Sequence, residues 1–168
     1  MTEFAIVAPI FFLLLFSIIE LGILFGGQNG LVASSRELAR YAAPFRVATA
    51  ADATAVCANK ADPDHGLSQQ LSGVMRRSIP GYSAANSVVN TADRTVTYSW
   101  HPNPDGTYYV ELQVHVTYRY PLYVPLVGGL LDGFDGTSDG KFQLDATEHM
   151  RIENLGLTTT FADVTCNI

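Results

Sequence analysis

The sequence predicts an α+β protein in which an N-terminal transmembrane helix, extended beyond the membrane, packs on a small antiparallel β-sheet. Three observations carry that expectation. Phe4 to Phe25 form a nearly unbroken apolar run, Leu31 to Ser78 repeat apolar residues at helical spacing, and Thr95 to Ile152 alternate apolar with polar side chains. The expected organisation is a transmembrane helix over residues 1–25 and one head over 26–168. That head divides into helices at about 31–79, a sheet at about 83–153 and a C-terminal tail.

The apolar run, FAIVAPIFFLLLFSIIELGILF, has 22 residues, and as a helix it would be about 33 Å long, close to the hydrocarbon thickness of a bilayer. Its only ionisable member is Glu20, and Glu3 stands just before it. A cleavable secretory signal would need a basic n-region, a shorter core and a small-residue cleavage site. The first basic residue is Arg36, so the run reads as a retained anchor. Arg36, Arg40 and Arg46 follow the run, and a literal positive-inside count would put the head in the cytoplasm.

Beyond the anchor, roughly 140 residues suffice for one core. A net charge of −6 with scattered Lys and Arg argues against a nucleic-acid surface. Cys57 and Cys166 are the only cysteines; they suit one disulfide in an oxidising compartment, with two buried free thiols as the alternative.

Gly26, Gly27 and Gly30 lower helix propensity and suggest a bend near the membrane interface. Leu31, Leu38, Tyr41, Ala42 and Phe45 then form an apolar stripe, with Ser34, Ser35, Arg36, Glu37 and Arg40 opposite. Pro44 should divide this helix into a piece ending near Ala43 and another from about Pro44 to Ala58. A third helix is expected from Gly66 to Ser78, stopped by Pro80 and Gly81. Strands follow where Val96, Tyr98 and Trp100, then Val110 to Tyr120, then Phe142 to Ile152 alternate with polar neighbours. The HPNPDG segment from His101 to Gly106 predicts a hairpin between the first two, and Ser87 to Asn90 a short edge strand.

Several of these pieces resemble the TadE-type minor pilins, or pseudopilins, of the tight-adherence (Tad, or Flp) branch of the type IV pilus systems. They are Glu3, Phe4 and Ala5 followed by Pro9, then Glu20, Leu21 and Gly22, then SSRELARYAA from Ser34 to Ala43. VHVTYRYPLYVP from Val114 and ATEHMRIE from Ala146 are similar to the family's C-terminal strands. The resemblance implies a pilin-like fold, a bacterial inner-membrane location with a periplasmic or extracellular head, and incorporation into, or support of, a pilus that serves surface adherence. Its implied partners are other Tad pilins, pilus-assembly membrane proteins and a prepilin peptidase. Glu3, Phe4, Pro9 and Glu20 become the assembly residues.

In that family a basic leader ending in Gly is removed so that the glutamate becomes the fifth mature residue, whereas Glu3 is third here, which leads us to expect a truncated or misplaced start. The resemblance implies that the Glu3 carboxylate pairs with the N-terminal amine of a neighbouring subunit, the alternative being a carboxylate favoured by the helix dipole. Glu20 has two expected roles, pairing with a partner helix or reaching water at the far interface. Pro9 is expected to bend the helix, or to be no more than a tolerated membrane proline.

Catalytic and cofactor motifs are missing: the sequence has no G-x-S-x-G, no H-E-x-x-H, no dinucleotide fingerprint and no P-loop. The expectation is therefore a non-enzyme without cofactor or metal. His115 and His149 lie on polar strand faces and read as solvent-facing; His65 and His101 have no ligand spacing. The acidic loop from Asp132 to Gly140 has the wrong spacing for an EF-hand. Pro121 to Phe134, PLYVPLVGGLLDGF, is too apolar for an ordinary linker. It either folds back over the sheet edge or contacts a partner pilin or the membrane surface. The alternatives to a pilin are a membrane-anchored periplasmic adaptor and an adhesive, ligand-binding head.

Overall fold

The computed structural model describes residues 2–60, 66–82, 94–133 and 139–168. Its elements are α1 (Thr2–Ala42), α2 (Ala50–Lys60), α3 (Leu67–Ser78), β1 (Arg94–Pro102), β2 (Tyr108–Pro121), α4 (Pro125–Asp132), β3 (Lys141–Leu157) and β4 (Val164–Asn167). The strands form an antiparallel sheet in the order β3-β2-β1-β4. The architecture is the expected α+β arrangement, a long N-terminal helix packed on an antiparallel sheet.

The core lies between one face of this sheet and α1 with α3. Alternate residues of the two central strands, among them Val96, Tyr98, Leu112, Val114 and Val116, are fully buried against Leu31 and Leu38 of α1 and Leu71 and Met75 of α3. Period-two burial along β1 and β2 has a direct cause: one face of a strand meets the helices and the other meets water. Glu148 falls on the apolar side of β3, yet β3 is an edge strand, and there its carboxylate accepts a bond from Arg36 Nε of α1 at 2.7 Å.

The hairpin forms as expected. Asn103 N–H donates to Thr107 O at 2.7 Å, and Asp105 Oδ1 accepts from the backbone and hydroxyl of Thr107. Gly106 takes φ +81°, a left-handed conformation that few side chains tolerate.

Four local expectations need correction or extension. No break separates the glycine cluster from the helix before it, because α1 runs continuously to Ala42. The helix after Pro44 starts at Ala50. Its start is set by a reciprocal cap in which Asp52 accepts from the Ala48 and Thr49 amides while Thr49 Oγ1 accepts from the Asp52 amide. A hydrogen bond from the Thr49 hydroxyl, and then those from the Ala48 and Thr49 amides, hold the Asp52 carboxyl below its ordinary value. The C-terminal tail contributes a strand, β4, that covers the free edge of β1 with Val96 opposite Cys166. Part of the apolar segment after β2 is helical, as α4. The edge strand expected at Ser87 to Asn90 lies outside the described residues.

Cys57 on α2 and Cys166 on β4 are joined, with Cα atoms 5.6 Å apart and a sequence separation of 109. Closing so long a loop removes about 4 to 5 kcal/mol of unfolded-state entropy by polymer estimates. Non-reducing peptide mapping should recover the Cys57–Cys166 cross-link, and reduction should lower the thermal midpoint of the chain by several degrees. Free thiols at both positions before any reductant is added would remove this claim.

Candidate assembly site

Two different surfaces meet on α1 at Glu20. The described side chains from Phe4 to Ile19 are largely exposed and apolar, with Phe4 75%, Ile18 71% and Phe11 58% accessible. A continuous apolar rod of this kind is poorly tolerated in water, and α1 is long and apolar enough to cross a membrane. Within it the Ser17 hydroxyl is satisfied by donating to Leu13 O at 2.7 Å. Pro9 sits inside the helix, which continues on both sides of it. Glu3 lies in the first turn, and its side chain is outside the described residues.

From Glu20 onward the same helix is seated in the head. Glu20, Leu24, Gly27, Leu31, Ser34, Leu38 and Ala42 recur every three or four residues and are all buried. The buried stripe therefore begins three turns before Leu31. Ser34 satisfies its buried hydroxyl locally, by donating to Gly30 O at 2.7 Å.

Glu20 is only 1% exposed, and its Oε1 accepts the backbone N–H of Tyr123 at 2.9 Å. Its partner is thus an amide of the chain's own head, an arrangement that neither sequence alternative described. Beside it the Tyr120 hydroxyl donates to Pro80 O at 2.9 Å. Burial above all, and then Tyr123, Tyr118 and the Glu20 carboxylate, push the Tyr120 phenol up to about 12. Burial does the same for Tyr98. The sign follows directly: a phenol whose folded pKa is raised contributes stability that is complete below its unfolded pKa of about 10. That stability is lost as pH rises toward about 12. The head should consequently unfold in this alkaline window, with loss of near-ultraviolet dichroism accompanying tyrosinate absorbance. Tyrosinate formation on a head that stays folded above it would contradict the assignment.

The glycine cluster allows this seating. A Cβ on Gly27 would stand 3.2 Å from the Tyr120 ring, and one on Gly30 would stand 2.2 Å from Ser78 O and 2.7 Å from its carbonyl carbon. The obstacle at Gly30 is backbone at the end of α3, which a rotamer change cannot relieve. Gly30→Ala should therefore destabilise the head by about 1 to 3 kcal/mol despite the better helix propensity of alanine. Gly22, where an added Cβ meets nothing within 4 Å, provides the control, and Gly22→Ala should leave the thermal midpoint unchanged or slightly raised.

His65 lies outside the described residues, and the other three histidines do not form a site of this kind. His149 Nδ1 lies 2.5 Å from Glu111 Oε1, and His101 lies 3.7 Å from the other oxygen of that carboxylate. His115 instead bonds Thr147 Oγ1 at 2.9 Å. Among the described residues no group of three or more His, Cys, Asp or Glu could hold a metal ion. Asp132 Oδ2 accepts the Gly140 amide at 3.2 Å and so ties the ends of the acidic loop together.

Of the assembly residues expected from sequence, Phe4 and Pro9 lie on the free half of α1 and Glu20 on its seated half, so they do not converge on one point. Tyr120 was expected only on the apolar face of its strand, and the meeting of Tyr120 and Tyr123 with α1 was not anticipated, although the aromatic run YRYPLY and the apolar segment after it were the visible signal. Residues 1–40 match the family model described as TadE-like protein, which covers the free half of α1 and most of its seated half. Compared with curated proteins and with solved structures, the chain shows no significant match to either.

Proposed function

We propose, from this TadE-like N-terminus and the two-part character of α1, that the chain acts as a minor pilin or pseudopilin of a Tad (Flp) pilus. It is a structural, non-enzymatic component that primes or supports pilus biogenesis and so surface adherence. The free half of α1 holds it in the bacterial inner membrane and packs with the helices of other Tad pilins and assembly proteins, while the head sits on the periplasmic side. A prepilin peptidase would process it before assembly.

The observation that carries this reading is the continuity of α1. One helix of 41 residues joins the exposed apolar rod to the core of the head without a flexible joint, so the orientation of the rod dictates that of the head. A tethered adaptor or adhesin needs no such coupling. The Cys57–Cys166 cross-link supports an oxidising compartment for the head. The test is fractionation of piliated cells carrying a tagged chain as the sole copy. The expected result is its recovery with sheared filaments or in a cross-linked complex with other Tad pilins. Recovery only as an isolated membrane protein, with normal pili when the chain is deleted, would reject the reading.

A further inference from the structure

We propose that the base of the head lies in the membrane interface itself. Tyr123 and α4 rest among the lipid headgroups, and the groove between α1, α4 and β3 receives a lipid acyl chain. The inference rests on α1 being a membrane anchor and adds a second bilayer contact made by the head.

Depth is the first argument. If the 22 residues from Phe4 to Phe25 cross the hydrocarbon core, the turn containing Leu21, Leu24 and Phe25 lies at its boundary. The head already grips the helix there, because Glu20 is bonded to the Tyr123 amide and Gly27 lies against Tyr120. The segment joining β2 to α4 is therefore held at the level of the membrane surface.

Surface chemistry is the second. At this level Phe25 is 68% and Tyr123 56% exposed, although each is a large apolar body. Between Phe25 and the sheet runs a groove of about 280 Å³, lined by Leu21, Leu24, Phe25, Leu131 and Phe142. Its polar groups are confined to the end farther along α1, where Gln28 Nε2 donates to Asp145 O at 2.8 Å and Gln143 Nε2 to Asp145 Oδ2 at 3.1 Å. An apolar trough continuous with a membrane helix and closed by a satisfied polar end suits an acyl chain entering from the leaflet. Tyrosine, with an apolar ring and a polar tip, suits the boundary itself.

Charge narrows the lipid class. Among the described residues the charged groups near this end are Glu20, Asp132, Asp139, Asp145, Arg119 and Lys141, and Arg119 stands 3.6 Å from Asp139. That is no cationic patch, so the contact relies on apolar and aromatic burial and does not require anionic lipid.

The experiment uses the full chain in phosphatidylcholine nanodiscs containing lipids brominated on the acyl chains, which quench tryptophan on contact. Reporters Tyr123→Trp, Phe142→Trp and Phe12→Trp are placed singly in a Trp100→Phe background, with native Trp100 as the buried reference. The Phe12→Trp reporter should be quenched best by bromine near the chain ends. The Tyr123→Trp and Phe142→Trp reporters should lose roughly half their intensity to bromine near the ester end, at any salt concentration and without anionic lipid. Strong quenching of the Phe12→Trp reporter, with the two head reporters quenched no more than Trp100, would overturn the proposal and leave the anchor standing. Absence of quenching at all three would reject the anchor and the proposal together. Head quenching that is present in discs with one chain and lost in discs with two would show that a second copy covers the groove, which also overturns it.

Discussion

Val114→Asp is expected to unfold the head, whereas Gln113→Asp, one residue away, is expected to leave it folded. Val114 is completely buried in β2, between Val96 of β1 and the edge strand β3. A carboxylate there would have to be neutralised or left without a partner, at several kcal/mol, and the lost packing adds to this. That sum is comparable with the whole stability of a domain of this size. Gln113 lies on the opposite face, half-buried and opposite Thr97 and His149. A carboxylate there stays hydrated, and the β-propensity penalty is at most about 1 kcal/mol. Thermal unfolding of the full chain in detergent, followed by near-ultraviolet dichroism, separates the two outcomes. A Val114→Asp chain melting within a few degrees of the wild type would show that the buried face of β2 has been wrongly assigned.

The contrast also shows what kind of information the chain displays locally. Period-two alternation marks β1, β2 and β3, and the HPNPDG turn marks their hairpin, because each signal is written within a few residues. The start of α2 was legible too, in the Thr49-x-x-Asp52 spacing of a capping box, but Pro44 drew attention to the wrong residue. β4 is different in kind. Four residues, Val164 to Asn167, carry almost no periodicity of their own, and they become a strand because the edge of β1 is available and Cys166 is tied to α2.

The candidate assembly site divides along the same line. Local chemistry exposes the apolar rod and the motif around Glu3, Phe4 and Pro9. What Glu20 does depends on a residue 103 positions away, since the amide of Tyr123 reaches it only once β2 is in place. The glycines were misread for a related reason. Considered within one helix they weaken it, but Gly30 lies directly against Ser78 O, and this close approach of α3 requires the absence of a side chain. Tertiary contact has converted a helix-breaking composition into a packing surface.

Glu3→Ala is expected to leave expression, membrane insertion and head folding intact while reducing incorporation into filaments. Glu3 belongs to the first turn of a helix that is seated in the head only from Glu20 onward, about five turns further along, so the substitution is far from the core of the head. In the pilin reading its carboxylate meets the N-terminal amine of a neighbouring subunit. A charge-assisted bond of that kind contributes about 1.5 to 3 kcal/mol. Its loss should lower incorporation, or co-purification with other Tad pilins, by about tenfold to a hundredfold. Removing a carboxylate eases partitioning into a bilayer, so failed assembly with normal insertion cannot be ascribed to a weaker anchor. Glu3→Gln, which keeps the size but not the charge, should fail nearly as badly, and Glu3→Asp should recover part of the loss. Full piliation by the Glu3→Ala chain as the sole copy, in cells that make no pili when the whole chain is deleted, would defeat the pairing. The remaining explanation would then be a carboxylate placed at the membrane surface and favoured there by the helix dipole.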